Sequence, residues 1–182
     1  MLLGIAFKRS GVFMMYFNFL EDHIVDWQLE EEDHVNWHKA SSQFIRSSIP
    51  SATEISQQEK RLNAQGYSFP EELTMFWSEI GCGYLCPNDS VDNGLEEPAT
   101  ILDIYFREGE WSDIKFACDI IDKNELPFFR ICDLSYLTIG LERGINLGKI
   151  YYCGDEIATN LIDFTKRILL NPIYYLALQP TL

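Results

Sequence analysis

Positive charge is scarce in this sequence. Lysine and arginine together number 14 against 28 aspartate and glutamate residues, which gives a formal net charge of −14 at pH 7. A chain with this balance repels phosphate backbones and anionic lipid surfaces, because like charges repel one another. The composition therefore predicts no nucleic-acid partner and no membrane partner, and it favours binding to a basic protein.

Closely paired cysteines are also missing. The five cysteines form an odd set scattered through apolar segments, unlike the disulfide framework of a small secreted protein. The sequence therefore predicts reduced thiols and a cytoplasmic location. Cys82 and Cys86 stand four apart, but structural zinc sites usually need four soft ligands in two close pairs, so we expect buried thiols there. The remaining cysteines are Cys118, Cys132 and Cys153.

Long apolar runs are absent from the beginning of the chain. The segment MLLGIAFKRSGVFMMYFNFL is interrupted by Lys8-Arg9-Ser10-Gly11, so it falls short of the ~18 uninterrupted apolar residues that a membrane-spanning helix needs. It also lacks the small-residue cleavage site of a secretion signal. We therefore expect neither a membrane anchor nor a signal peptide in this segment.

Catalytic motifs are lacking as well. The sequence contains no Gly-x-Ser-x-Gly elbow, no phosphate-binding glycine-rich loop and no dinucleotide fingerprint, which argues against an enzyme without excluding one and gives no sign of a cofactor. His34 and His38 stand at i and i+4, on one face of a helix, but lack the glutamate beside the first histidine that a His-Glu-x-x-His metalloprotease uses. A metal-dependent hydrolase built on this pair is an alternative of another class.

The first half of the chain carries helical signals. Residues 20–45 show a helical period interrupted by an acidic run, and Ser51-Ala-Thr-Glu54 has the form of a capping box, which predicts the start of a second helix. In FPEELTMFWSEIGCGYLCP, residues 69–87, apolar residues at i, i+3, i+4 and i+7 follow a proline and two glutamates. This stretch predicts a core helix that ends at Gly81 or Gly83.

Short strands are predicted in the second half of the chain. ATILDIYF, residues 99–106, is rich in branched and aromatic residues and predicts a strand. From Leu126 onward, apolar segments separated by short turns predict two adjacent hairpins, followed by a last helix from about Thr159. Helices, an antiparallel meander and a closing helix indicate an α+β domain. The sequence thus predicts a partly helical N-terminal extension over residues 1–48 and one domain over residues 49–182.

Acidic residues share loops with aromatic residues at two places in the middle of the chain. The first loop runs from Tyr84 to Glu97 and the second from Glu108 to Asp113. This mixture is favoured where one protein docks another, although an acidic surface also serves solubility. We predict a partner-binding surface composed of Tyr84, Asp89, Asp92, Glu96, Glu97, Glu108, Glu110, Trp111, Asp113 and, from the acidic run nearer the N-terminus, Glu31.

The order and spacing of these segments over residues 51–170 carry a family resemblance. The helix and turn read Phe69-Pro70-Glu-Glu-Leu73-x-x-Phe76-Trp77-x-x-Ile80-Gly81-Cys82-Gly83, and the later strands read Leu126-Pro127-Phe-Phe-Arg-Ile131, Leu137-Thr-Ile-Gly-Leu141 and Gly148-Lys-Ile-Tyr-Tyr152. This pattern resembles the SUKH superfamily of bacterial immunity proteins and fungal cell-wall regulators. The chain departs from it at Phe69, where leucine is usual, and at Cys82, where the family turn has a second glycine or an asparagine.

The resemblance implies N-terminal helices packed on a mostly antiparallel sheet with a closing C-terminal helix, and a binding function without catalysis. Bacterial members look like immunity proteins, each of which neutralises a cognate polymorphic toxin, often a nuclease, of a contact-dependent or secretion-system inhibition pathway. We expect a basic toxin domain as the partner, because a strongly acidic chain can cover a basic cleft. Fungal relatives look like scaffolds, so an intracellular scaffold or regulatory protein of the same fold is the alternative.

Overall fold

The computed structural model describes residues 16–26, 43–87, 91–113, 123–132 and 134–178. These residues form an eight-stranded sheet in which each strand lies beside the next strand of the chain. All neighbours are antiparallel except the first two strands, which are parallel. The strands are β1 (Ile24–Asp26), β2 (Phe44–Ser48), β3 (Cys82–Leu85), β4 (Gly94–Leu95), β5 (Glu125–Cys132), β6 (Ser135–Gly140), β7 (Ile150–Tyr152) and β8 (Asp155–Ala158).

The sheet is accompanied by α-helices and short 3₁₀ segments, which confirms the predicted α+β class. The α-helices of the described ranges are α1 (Ala52–Asn63), α2 (Glu71–Glu79), α3 (Pro98–Phe106) and α4 (Leu161–Leu170), and the 3₁₀ segments are Asn18–His23, Gly109–Trp111 and Tyr174–Leu178. Within these ranges, no helix is long and apolar enough to cross a membrane.

The capping box predicts the start of α1 correctly. The hydroxyl of Ser51 accepts a hydrogen bond from the Glu54 backbone N–H at 3.2 Å, and the Glu54 carboxylate accepts one from the Ser51 backbone N–H at 2.7 Å. Two backbone donors that the helix itself cannot pair are satisfied in this way. Ile55 and Leu62 then turn into the core.

Helix α2 is the core helix expected from the stretch at residues 69–87. Leu73, Phe76 and Trp77 are buried, as the apolar spacing predicts, and the indole N–H of Trp77 donates to the backbone carbonyl of Glu96 at 3.1 Å. The carboxylate of Glu72 accepts a hydrogen bond from the backbone N–H of Leu161 at 2.8 Å, so an acidic group lies at the positive end of α4. This helix therefore joins the sheet to the closing helix.

The glycines after α2 allow the chain to pass very close to β2. Gly81 and Gly83 have φ angles of +108° and +146°, and a Cβ atom on Gly83 would lie 2.0 Å from the carbonyl oxygen of Ile45. Only a residue without a Cβ fits there. Cys82, between the two glycines, starts β3 and is buried in the core, with its thiol 3.7 Å from the Glu96 carbonyl oxygen. The motif thus both ends a helix and begins a strand.

Two of the predicted elements are wrong. Residues 20–45 do not form one helix, because the described part contains a 3₁₀ segment and β1, and Phe44 and Ile45 pair with β3 as part of β2. The strand predicted over residues 99–106 is helix α3, which has proline at its first position and buries Ile101 and Ile104. Its branched residues are accommodated because they pack into the core, which overrides their intrinsic strand preference.

The two predicted hairpins are present, and a third hairpin extends them. β5 pairs with β6 and β6 with β7 as expected, while β7 and β8 form the additional pair. Helix α4 begins at Leu161, two residues after the predicted start, and is capped by the side chain of Asn160. Phe164 of α4 packs edge-on against Phe129 of β5, with ring centroids 5.0 Å apart.

Residues before the proposed boundary at residue 48 also reach the core. Phe17 and Leu20 are fully buried, and the Phe17 ring packs edge-on against Phe76 of α2 with centroids 4.8 Å apart. At the end of the sheet, the guanidinium of Arg46 in β2 forms an ion pair with Asp26 in β1. The division into an extension and a domain stays a prediction.

Candidate partner-binding surface

One row of side chains crosses the middle of the sheet. Tyr84 of β3 lies opposite Gly94 of β4, Gly94 lies opposite Arg130 of β5, and Arg130 lies opposite Tyr136 of β6. Since Gly94 has no side chain, the Arg130 guanidinium extends over it to Tyr84. Its carbon lies 5.9 Å from the Tyr84 ring centroid, and Nη2 donates to the Tyr84 hydroxyl at 3.3 Å. Tyr84 and Arg130 therefore form a stacked cation and aromatic pair.

Two of the predicted acidic residues flank this row. Arg130 Nε lies 3.3 Å from Oε1 of Glu96 and 3.6 Å from Oδ2 of Asp92. The Glu96 side chain is 18% exposed, whereas that of Asp92 is 46% exposed. Burial is the main cause that raises the pKa of Glu96; Arg130 opposes it, and Glu97 and Asp92 add to it. We call Tyr84, Asp92, Glu96 and Arg130 the arginine cluster.

We expect Arg130→Met to lower the free energy of unfolding by about 2 kcal/mol at pH 7, because Glu96 would lose the cation that offsets its burial. In the folded variant the pKa of Glu96 would rise further, so the folded state would hold a proton that the unfolded state has released. Between the pKa of Glu96 in the unfolded state and its higher pKa in the folded variant, stability therefore falls as pH rises. The loss of stability caused by Arg130→Met should accordingly be smaller at pH 5 than at pH 7. Urea unfolding at both pH values measures the difference.

The matched control for this prediction is the double variant Arg130→Met with Glu96→Gln. It removes the buried carboxylate together with its cation, so it should recover most of the stability at pH 7 and abolish the added pH dependence. A double variant as unstable as Arg130→Met at both pH values would show that the packing of Arg130, and not its charge, matters.

The second predicted loop meets the arginine cluster across Tyr136. The Trp111 ring packs edge-on against Tyr136 with centroids 6.5 Å apart, and Ile104 of α3 completes this small apolar group. Burial raises the pKa of Tyr136, Glu96 and Asp92 raise it further, and Arg130, which lies opposite Tyr136 in the sheet, lowers it. The structure therefore brings the aromatic residues of both loops into one region.

The acidic residues of the second loop differ in their surroundings. Glu110 and Asp113 are exposed. Glu108 is also exposed, but its carboxylate is paired with Arg61 of α1 at 2.8 Å, and the same Arg61 nitrogen contacts Asp103 of α3 at 2.9 Å. Glu108 therefore has a structural partner inside the protein, whereas Glu110 and Asp113 are exposed carboxylates.

Glu97 lies at the edge of a groove next to the arginine cluster. Its carboxylate accepts a hydrogen bond from the Ser48 hydroxyl at 2.7 Å. The groove has a volume of about 320 Å³ and includes Glu54 and the half-exposed Ile49 in its lining. An acidic side chain beside an exposed apolar one suits the aliphatic stem and charged head of a lysine or arginine.

Some of the predicted site residues lie outside the described part of the chain, and others were not predicted. Asp89 and Glu31 are outside it, as are His34 and His38 of the alternative metal site. Sequence reasoning did not identify Arg130 or Tyr136. A single arginine inside the apolar strand PFFRIC was the available signal for Arg130, since a buried cation requires an acidic partner.

The cysteines show one difference from the expected reduced set. Cys82 and Cys86 are buried free thiols, and burial raises the pKa of Cys86 to about 12, so this thiol is a poor nucleophile. Cys132 is free and exposed. Cys153 is disulfide-bonded, so the prediction that all cysteines are reduced is wrong for this residue. In the described ranges, no group of three or more histidine, cysteine or acidic side chains could hold a metal ion.

A comparison with curated proteins finds a relative of this chain. It is 31% identical over 131 residues to a protein of Bacillus subtilis (strain 168) named immunity protein YxxD, and the alignment covers 69% of this chain and 84% of the relative. The chain belongs to the same family as immunity protein YxxD. No protein-family model matches the chain, and no solved structure matches it. Membership of the YxxD family is therefore shown, whereas the SUKH resemblance stays a prediction.

Proposed function

We propose that this protein is a non-catalytic immunity protein that binds a cognate toxin protein and neutralises it. The family relation to immunity protein YxxD carries this proposal, because the alignment covers most of both chains. The acidic composition supports it: a net charge of −14 favours association with a basic protein and can raise the association rate by ~10–10³.

The surface that we propose for the toxin comprises the arginine cluster and the acidic residues next to it. Tyr84 and Trp111 supply aromatic area, while Asp92, Glu97 and Glu110 supply negative charge around it. Half-buried aromatic residues with an exposed charged rim are common at the centres of protein interfaces. Asp113 and Glu96 belong to the same surface, and Glu108 stabilises it through Arg61. Asp89 and Glu31 remain proposed members.

We further propose that the toxin domain is basic, as a nuclease cleft would be, and belongs to a polymorphic toxin of a contact-dependent or secretion-system pathway. For the immunity protein itself, we propose a SUKH-type fold and a cytoplasmic location. Two features of the surface support a basic partner. Among the members of this surface that lie in the described ranges, Arg130 is the positive side chain, and Arg130 is already paired with Glu96 and Asp92. An incoming lysine or arginine would therefore meet carboxylates at Asp92, Glu97 and Glu110.

The experiment that tests the function uses the gene that lies immediately upstream of the gene for this chain. The C-terminal domain of its product should arrest bacterial growth when produced alone, and co-production of this protein should restore growth. The two purified proteins should form a complex that weakens as salt is raised, because screening reduces charge attraction. A domain that is not toxic, or a toxic domain whose effect this protein does not relieve, would overturn the proposal and favour a scaffold that binds a host protein.

A further inference from the structure

A buried asparagine anchors the segment that carries Asp92 and Glu96. Asn93 is fully buried and has a φ angle of +52°, a left-handed conformation that asparagine tolerates better than most residues. β4 follows it and contains only Gly94 and Leu95, so few ladder hydrogen bonds hold this part of the sheet. The position of Asp92 and Glu96 therefore depends on contacts beyond β4.

The amide of Asn93 makes three hydrogen bonds to two other parts of the chain. Its Oδ1 accepts a hydrogen bond from the Tyr175 hydroxyl at 2.8 Å. Its Nδ2 donates to the backbone carbonyl of Pro172 at 3.0 Å and to that of Cys86 at 3.4 Å. The bond to Cys86 links Asn93 to the residue that follows β3, and the other two bonds link it to the 3₁₀ segment Tyr174–Leu178 and to Pro172 before it.

The Tyr175 hydroxyl is suited to this role. Tyr175 is fully buried, and burial raises the pKa of its phenol, so the hydroxyl keeps its proton and donates at every physiological pH. Its ring packs edge-on against Tyr152 of β7 with centroids 5.6 Å apart, which fixes the hydroxyl in place. A fixed donor in a buried setting leaves little freedom to the amide that accepts from it.

We propose that Asn93 and Tyr175 are positioning residues for the partner-binding surface. Neither residue touches the partner, because both are fully buried. Their hydrogen bonds fix Asn93 relative to Cys86 and Pro172, so that its neighbour Asp92 reaches Arg130 and the cluster is presented in one arrangement. The effect on affinity rests on the proposed function, whereas the effect on the segment itself does not.

The first test needs no partner and compares Tyr175→Phe with Tyr174→Phe. Each change removes one hydroxyl from the same 3₁₀ segment, but the Tyr174 hydroxyl donates to the carbonyl of Ile157 instead of Asn93. Amide hydrogen exchange should become roughly tenfold faster at Leu85, which donates to the Asn93 carbonyl, and at Asp92, which donates to the Ile131 carbonyl, in Tyr175→Phe only. The hydrogen-exchange rates of the β6 amides serve as the control, since they would rise if the variant lost global stability.

The second test measures affinity for the C-terminal domain of the upstream gene product. Tyr175→Phe should weaken binding roughly tenfold in the otherwise unchanged protein, and by less than about twofold in an Asp92→Asn, Glu96→Gln background, because residues in one network are not additive. Tyr174→Phe should bind like the unchanged protein in both backgrounds. A structural role alone would reduce affinity by the same factor in both.

The outcomes separate the two proposals. Unchanged exchange at Leu85 and Asp92, or equal changes in both tyrosine variants, would overturn the positioning role whatever the partner is. Faster exchange with unchanged affinity would also overturn it, since the positioned carboxylates would then not serve binding. Failure of the unchanged protein to bind the domain would overturn the proposed function and leave the exchange result to decide the positioning of the segment.

Discussion

Asp92→Lys together with Glu97→Lys is expected to weaken binding to the cognate toxin about 100-fold and to remove most of its salt dependence. Asp92 is the more exposed carboxylate of the arginine cluster, and Glu97 is exposed and follows Glu96 in the chain. A lysine at position 92 would stand beside Arg130. A basic partner would then meet repulsion where it now meets attraction. Titrations by calorimetry at about 50 mM and about 500 mM NaCl measure both effects.

The control for this prediction changes the net charge by the same amount elsewhere. Glu71 at the start of α2 and Asp155 at the start of β8 are exposed, and Glu71→Lys with Asp155→Lys also raises the net charge by four. Only long-range attraction should decrease, so we expect a loss of about threefold or less. Equal losses in the two double variants would mean that binding depends on net charge alone and that the proposed surface is wrong.

Gly83→Ala is expected to lower the free energy of unfolding by about 3 kcal/mol or more. The added Cβ would lie 2.0 Å from the Ile45 carbonyl oxygen, and Gly83 has a φ angle of +146° that alanine avoids. Relief would require β2 to move away from β3, but Ile45 is paired with Tyr84 at that point. Urea unfolding measures the loss.

Gly154→Ala separates the steric part of this effect from the conformational part. Gly154 also has a positive φ angle, +87°, but no atom lies within 4 Å of the position that its Cβ would take. Its cost should be about 1 kcal/mol, the penalty for a left-handed residue with a side chain. A Gly83→Ala variant that loses no more than Gly154→Ala would show that β2 can yield to the added atom.

The parts of the fold that the sequence predicts well are those set by neighbouring residues. The capping box at Ser51 and the apolar spacing of α2 depend on contacts within a few residues, and both elements are present. Phe44 and Ile45 form a strand because β3 lies beside them, and residues 99–106 form a helix whose branched side chains fill the core. Such tertiary contacts override local preference.

The candidate site also has some features that the sequence predicts and others that depend on tertiary contacts. Its acidic and aromatic loops could be predicted from the sequence, because charged residues next to aromatic residues are visible there. The pairing of Arg130 with Glu96 could not, since it depends on the register between β4 and β5. Asn93 and Tyr175 are 82 residues apart, so nothing local indicates their hydrogen bond.

The order of the strands has a consequence for how fast the protein folds. Each described strand pairs with its successor in the chain. After β4, two of these pairs, β5–β6 and β7–β8, are tight hairpins. Closing short loops loses little chain entropy, and proteins rich in such local pairings cross their folding barrier faster than those with distant pairings. The hydrogen bond between Tyr175 and Asn93 closes a far longer loop, so we expect it to form late, after the sheet to which it is attached.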